Sequence, residues 1–144
     1  MIGKVKNYII AAEGLALKLE IKEIEQYLSE VKEAVKAGRY RIARNLNRQD
    51  NLDLFFDYVI DEAKAEKIIL SLTAMDFSEL LFNHHPGFEH EKLYVFGKDV
   101  VLLERFGNKA KTVSLYIKFN KMENRYVIVV SFHEQKYPMK YYFK

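Results

Sequence analysis

The apolar positions of the first forty residues fall into a helical rhythm. Ile21, Ile24, Leu28, Val31 and Val35 recur three or four residues apart, the spacing that lines one face of an α-helix, and predict an amphipathic helix over residues 20–37. Gly38 stands where a C-terminal cap belongs, because glycine readily takes the left-handed conformation that ends many helices. Residues 40–43 read as a short strand or a connector. Leu52, Phe55, Phe56 and Val59, then Ala63, Ile68, Ile69 and Leu72, carry the helical period through residues 51–72 in two pieces. Asp50 and Asp61 are the candidate N-caps of those pieces. A third short helix is expected over residues 75–82, with Thr73 as its cap.

The run Asn83-His84-His85-Pro86-Gly87 is a turn signal, and beyond it the period changes to two. Residues 93–96 predict a short strand, Gly97 and Lys98 a turn, residues 100–106 a second strand and residues 107–109 a loop. Residues 112–119 and 126–133 are the clearest strands. Val113, Leu115, Ile117 and Phe119 form one apolar row, and Tyr126, Ile128, Val130 and Phe132 another. A hairpin closed by the polar residues 120–125 would pair Phe119 with Tyr126 and Ile117 with Ile128, placing both rows on one buried face. The opposite face would then carry Thr112, Ser114, Tyr116 and Lys118 beside Val127, Val129, Ser131 and His133. Helices first and strands last predict an α+β domain with an antiparallel sheet.

Composition narrows the class without changing this outline. A chain of 144 residues with 49% hydrophobic and 14% aromatic content suits one domain with its own core and excludes a disordered chain. The absence of cysteine excludes a disulfide framework, a thiolate zinc site and a cysteine nucleophile, and fits a reducing cytoplasm. No apolar run approaches the roughly 18 residues of a membrane span. Lys4 and Lys6 ahead of residues 8–17 faintly resemble a secretory signal, but Glu13, Lys18 and Glu20 interrupt and end the stretch. The expectation is a cytoplasmic chain with no membrane partner.

Charge is unevenly placed. The chain as a whole is +3, but residues 92–144 hold 11 Lys and Arg against four acids, +7, and leave −4 for residues 1–91. A basic half is the footprint expected of a polyanion binder, although edge lysines in small β domains also block aggregation.

Tyr116, Lys118 and His133 stand out on the predicted polar face. An imidazole can take or give a proton near neutral pH, an ammonium can hold a phosphate, and a tyrosine can donate a proton or stack on a base. The opposing reading is that any exposed sheet face is polar. His84, His85 and His90, with Glu89 and Glu91, are better read as an exposed turn than as a metal site, because adjacent side chains diverge. Ser131 and His133 lack a third partner for a triad, and no phosphate-binding glycine loop occurs. Tyr137, Tyr141, Tyr142 and Phe143, interspersed with Lys136, Lys140 and Lys144, would either stack on single-stranded bases or form a final strand.

Several blocks together resemble the MqsR toxins of type II toxin–antitoxin systems, in a Firmicute-like branch. Residues 28–38 (LSEVKEAVKAG) resemble the family's N-terminal helix, and residues 68–77 (IILSLTAMDF) its second-helix block. Residues 94–98 (YVFGK) and 115–119 (LYIKF) resemble two of its strands, and residues 129–141 (VVSFHEQKYPMKY) its C-terminal ending. The resemblance covers residues 28–144 and leaves residues 1–27 as an N-terminal extension expected to be helical.

The resemblance implies a RelE-like fold, with N-terminal helices packed on a twisted antiparallel β-sheet. It implies a metal-independent, cofactor-free mRNA endoribonuclease (an mRNA interferase) whose partners are mRNA and a cognate protein antitoxin, and it leaves a homodimer open. Tyr116 falls on the family's sheet tyrosine, Lys118 on the strand lysine that follows, and His133 where the well-known branch has a lysine. Glu79 stands where the family has a catalytic lysine. Val95 stands near its glutamine, with Lys98 the nearest polar replacement. The expected catalytic set is therefore Tyr116, Lys118, His133 and Lys98. RNA contacts are expected from Lys92, Arg105, Lys111, Arg125, Lys136 and Lys140, with no metal ligand. The alternatives are a non-catalytic nucleic-acid-binding or regulatory module on the same fold, and a protein-interaction domain with an incidental basic surface.

Overall fold

The computed structural model describes residues 18–45 and 47–144. Helix α1 (Ile21–Lys36) buries Ile24, Tyr27, Leu28, Val31, Ala34 and Val35, the face its period predicts. Gly38, at φ +78°, ends it, and Arg39 N–H returns to the Ala34 carbonyl at 2.8 Å, so orphan carbonyls of the last turn are satisfied. The 27/28 domain boundary falls inside this helix. Ile24 and Tyr27 belong to the common core, so the domain includes residues 18–27. Residues 1–17, where the rest of the expected helical extension lies, are outside the described residues.

After strand β1 (Tyr40–Ile42) come α2 (Gln49–Asp57) and α3 (Glu62–Leu70). Asp61 caps α3 by accepting from Lys64 N–H at 2.8 Å. Asp50 instead lies inside the first turn of α2, whose capping position is Arg48. Thr73 caps a 3₁₀ turn (Ala74–Asp76), but the helix expected over 75–82 is strand β2 (Phe77–Phe82). The short sequence FSELLF suits either period, and pairing with the neighbouring strand decides it.

The strand, turn and strand expected over 93–106 are one continuous strand, β3 (Lys92–Leu103). Gly97 is a position of close approach rather than a turn: a Cβ there would lie 2.3 Å from Met139 Sδ and 2.5 Å from Tyr141 Oη. Strands β4 (Ala110–Lys121) and β5 (Val127–Glu134) follow as expected. The sheet order is β1-β5-β4-β3-β2. The sheet is mixed rather than antiparallel, because edge strand β1 pairs parallel to β5. The fold is α+β. Among the described residues no helix is long and apolar enough to cross a membrane.

The β4–β5 register differs from expectation in an informative way. Val113, Leu115, Ile117 and Phe119 are buried as predicted. Phe119 pairs with Val129, however, and Lys118 with Ser131, so Val130 is an extra residue in β5. This bulge resets the alternation. Before it Val127 and Val129 face the core; after it Phe132 does. Ser131 and His133 therefore share the open face with Lys118 and Tyr116, while Val127 and Val129 do not.

Asn51 holds the bulge. It is 1% exposed, on the face of α2 that packs on β5. Its amide nitrogen donates to the Ala43 carbonyl at 2.7 Å and the Val130 carbonyl at 3.1 Å, and its oxygen accepts from Phe132 N–H at 2.8 Å. Groups left unpaired by the extra residue are thereby satisfied under the helix. Asn51→Ala should lower unfolding stability by about 2–4 kcal/mol, the scale of buried backbone groups losing their partners. Asn51→Asp, which keeps the acceptor and loses both donated bonds, should be no better at neutral pH. A urea midpoint unchanged in Asn51→Ala would remove this role.

Candidate functional site: a cation-lined cleft on the open sheet face

The helices cover one face of the sheet, and the other is partly open. Two cross-strand rows build its centre. Gly97, Tyr116 and His133 form one, and Glu79, Val95, Lys118 and Ser131 the other. Residues 135–144 then fold back across this face as a strap, not as a final strand. Gln135 N–H donates to the Ser114 carbonyl at 2.8 Å and Tyr142 N–H to that of Phe77 at 2.9 Å. The Gln135 side-chain amide donates to the Leu115 carbonyl at 2.9 Å, and Ser78 Oγ to that of Lys140 at 2.6 Å. The strap thus runs from β4 to β2, and it fits because Gly97 has no side chain.

Strap, sheet and the start of α2 enclose a cleft of about 780 Å³. Tyr116, Lys118, Ser131 and His133 line it, with Arg48 and Asp50 on one side, Glu79 on another, and Lys136, Tyr137 and Lys140 from the strap. A second hollow of about 540 Å³, toward β1 and the His84-His85 turn, shares Arg48, Glu79, Tyr116 and Lys118 with it. The two form one trough across the sheet.

At its centre the rings of Tyr116 and His133 stack, with centroids 5.1 Å apart and planes 7° from parallel. His133 Nδ1 lies 2.9 Å from the Glu134 carbonyl oxygen. A carbonyl can only accept, so Nδ1 carries the proton and Nε2 is the nitrogen left for proton transfer. Burial, and then the nearby Glu79 carboxylate, push the Tyr116 hydroxyl up to about 12; at neutral pH it is a donor and not a base. Burial, and then the neighbouring Arg48, pull the Lys118 ammonium below the usual lysine range, with Glu79 opposing them. Lys118 Nζ lies 5.9 Å from the Tyr116 ring centroid. Lys136 and Asp50 pair at 2.8 Å, which holds the Asp50 carboxyl below its usual range.

Of the expected catalytic residues, Tyr116, Lys118 and His133 come together and Lys98 does not. Lys98 pairs with the core-facing Leu115, so it lies on the helix side, 3.8 Å from Asp76 and 3.4 Å from the Ser71 carbonyl. Of the expected RNA contacts, only Lys136 and Lys140 line the cleft. Arg105 closes the end of α2 by donating to the carbonyls of Phe55, Phe56 and Tyr58. Lys111 sits 3.5 Å from Glu104, and Arg125, in the β4–β5 turn, 3.9 Å from Glu33. Lys92 lies beside a separate hollow with Tyr27 and Tyr94.

The residue pattern does not reveal Arg48, Asp50 or Glu79 as cleft residues, and only the resemblance marks the position of Glu79. Asp50 reads as a cap, and Glu79 as part of a helix that is a strand. A strand assignment for residues 77–82 would have placed Glu79 in the row of Lys118. Among the described residues no three His, Asp or Glu side chains gather as a metal site. Searches against protein families, curated proteins and solved structures find no match for the chain.

The strap's dependence on Gly97 is open to test. Gly97→Ala should loosen residues 135–144, seen as faster tryptic cleavage after Lys136 and Lys140, with a loss of about 1–3 kcal/mol from overpacking. Unchanged protease protection would show that the strap does not depend on the missing side chain.

Proposed function

We propose that this chain is a metal-independent endoribonuclease of the MqsR type, the toxin of a toxin–antitoxin pair on a RelE-like fold, cleaving mRNA through the RNA's own 2′-hydroxyl. The observation that carries this reading is the Tyr116–His133 stack, with Nε2 left for the cleft, set among Lys118, Arg48 and Lys140.

The chemistry needs proton transfer at two oxygens and positive charge at the phosphorane. Lys118 and Arg48 supply charge at the floor and side of the trough, and Lys98, on the helix side of the sheet, takes no part. Tyr116 donates a hydrogen bond to a non-bridging oxygen, and His133 transfers a proton through Nε2. Tyr137, 82% exposed on the strap, offers a ring on which an unpaired base can stack. A cognate antitoxin would silence the enzyme by covering the trough.

The second reading is a nucleic-acid-binding module without turnover. What favours it is Glu79, an acid where the resemblance places a catalytic lysine.

Turnover separates the two. Folded protein should cut RNA in EDTA, leave 5′-hydroxyl and 2′,3′-cyclic or 3′-phosphate ends, and spare a substrate with 2′-deoxyribose at the scissile position. His133→Ala should lose about 10²–10⁴ in rate, the usual range for a general acid or base. Salt-dependent binding without cleavage would favour the second reading, and strict Mg²⁺ dependence would remove the mechanism. Charge reversal at Lys118 should weaken RNA binding and flatten its salt slope. Reversal at Lys32 and Lys36 on α1 should not, and an equal loss there would place the RNA elsewhere.

A further inference from the structure

We propose that Glu79 is the general base of the cleft and His133 its general acid, the two placed on opposite sides of the scissile phosphate by a pair of β-bulges. This rests on the endoribonuclease reading above.

The first bulge is the one at Val130, which brings His133 to the open face. The second is in β2. Phe77 pairs with Phe96 and Glu79 with Val95, so two steps along β2 match one along β3 and Ser78 is the extra residue. Without it Phe77 and Glu79, two residues apart, would face the same way. With it Phe77 stays fully buried in the core and Glu79 turns into the cleft. Bulges of this kind re-aim a side chain at the cost of a ladder pairing, and here each re-aims one titratable group toward the same floor.

Between β2 and β5 lie β3 and β4, so about 14 Å of sheet separates the two backbones at the usual strand spacing. Tyr116 and Lys118 occupy the space between. That order matches an in-line displacement, in which the attacking and leaving oxygens sit at opposite apices of phosphorus. Two carboxylates line the cleft, Asp50 and Glu79, and they differ. Asp50 is taken by Lys136. Among the described residues no ion pair or hydrogen bond engages the Glu79 carboxylate, whose charge is nonetheless felt by both Tyr116 and Lys118. An uncommitted carboxylate beside two phosphate-holding cations is suited to accept a proton.

The step balances as follows. Glu79 takes the proton of the 2′-hydroxyl as the bond from that oxygen to phosphorus forms. The bond from phosphorus to the 5′-oxygen breaks, and that oxygen receives the Nε2 proton of His133, which enters the step as the imidazolium and leaves it as the neutral ring with its proton on Nδ1. The products are a 2′,3′-cyclic phosphate and a 5′-hydroxyl. Exchange with water returns each side chain to its starting state.

The test is a pH–rate profile of kcat/KM with an oligoribonucleotide, on wild type, Glu79→Gln, Glu79→Asp and His133→Ala, each checked for an unchanged urea midpoint. Glu79→Gln should lose about 10²–10⁴ in rate and its acidic limb, while Glu79→Asp should retain that limb and part of the rate. A substrate with a 5′-thio leaving group, which needs no protonation, should rescue His133→Ala and leave Glu79→Gln slow. A Glu79→Gln enzyme as fast as wild type with the same profile, or one rescued by the thio substrate, would overturn the assignment and leave the endoribonuclease reading intact. Wild-type protein that does not cut RNA would overturn both.

Discussion

A β-strand alternates its side chains between two faces, so one extra residue exchanges the faces for everything beyond it. In β5 that exchange happens at Val130, beneath a helix where unpaired backbone groups have no water to turn to. Asn51 makes it tolerable by bonding to the Val130 carbonyl, the Phe132 N–H and the Ala43 carbonyl at once. Without the bulge, the alternation that buries Val127 and Val129 would send Ser131 and His133 into the core as well. The presence of Ser131 and His133 on the open face, and the stack of His133 on Tyr116, depend on this one buried amide.

The opposite side of the sheet uses the same device with a different support. Ser78, the extra residue of β2, is held through its hydroxyl to the Lys140 carbonyl of the strap. The strap in turn lies over Gly97 and is joined to β4 through Gln135. Cleft wall and bulge therefore stabilise one another, and disturbing either should be felt at the other.

How much of this was legible in the sequence depended on whether a pattern was local. The 3.6-residue period of α1 and the strict alternation of β4 each identify a face without outside information, and Tyr116 and Lys118 were found through the second. His133 was placed on the right face although the predicted register was wrong, because that register ignored a bulge that Asn51, about 80 residues away in sequence, makes affordable. Periodicity does not find Glu79, which only the resemblance marks, because six residues of β2 carry no decisive period. Gly97-Lys98 read as a turn because a glycine required by a distant strap looks, in sequence, like one required by its own backbone. Charge misled for a related reason. The excess of cations after residue 92 is real, but Arg105, Lys111 and Arg125 serve a helix end and local ion pairs. The cleft draws Arg48 from the acidic half.

The centre of the trough is also where function opposes stability. Lys118 is half-buried, Arg48 adds like charge, and its ammonium sits below the ordinary lysine range for those two reasons. A lysine whose folded value is depressed destabilises the fold while it is charged, and the burden lifts as pH rises through the window between the lowered value and the unfolded one. Below that window the burden is present in full. Nothing in the packing requires it, since an apolar chain of similar length would fill the same space without desolvating a charge. A bound phosphate changes that balance: it adds counter-charge to Lys118 and Arg48 together, beyond what Glu79 gives Lys118, in the low-dielectric setting where such pairing is strongest. The residue that weakens the empty protein is thus the one whose pairing with an anion stabilises the occupied one, and a desolvated cation held at the floor of a cleft is what a preorganised phosphate site should contain.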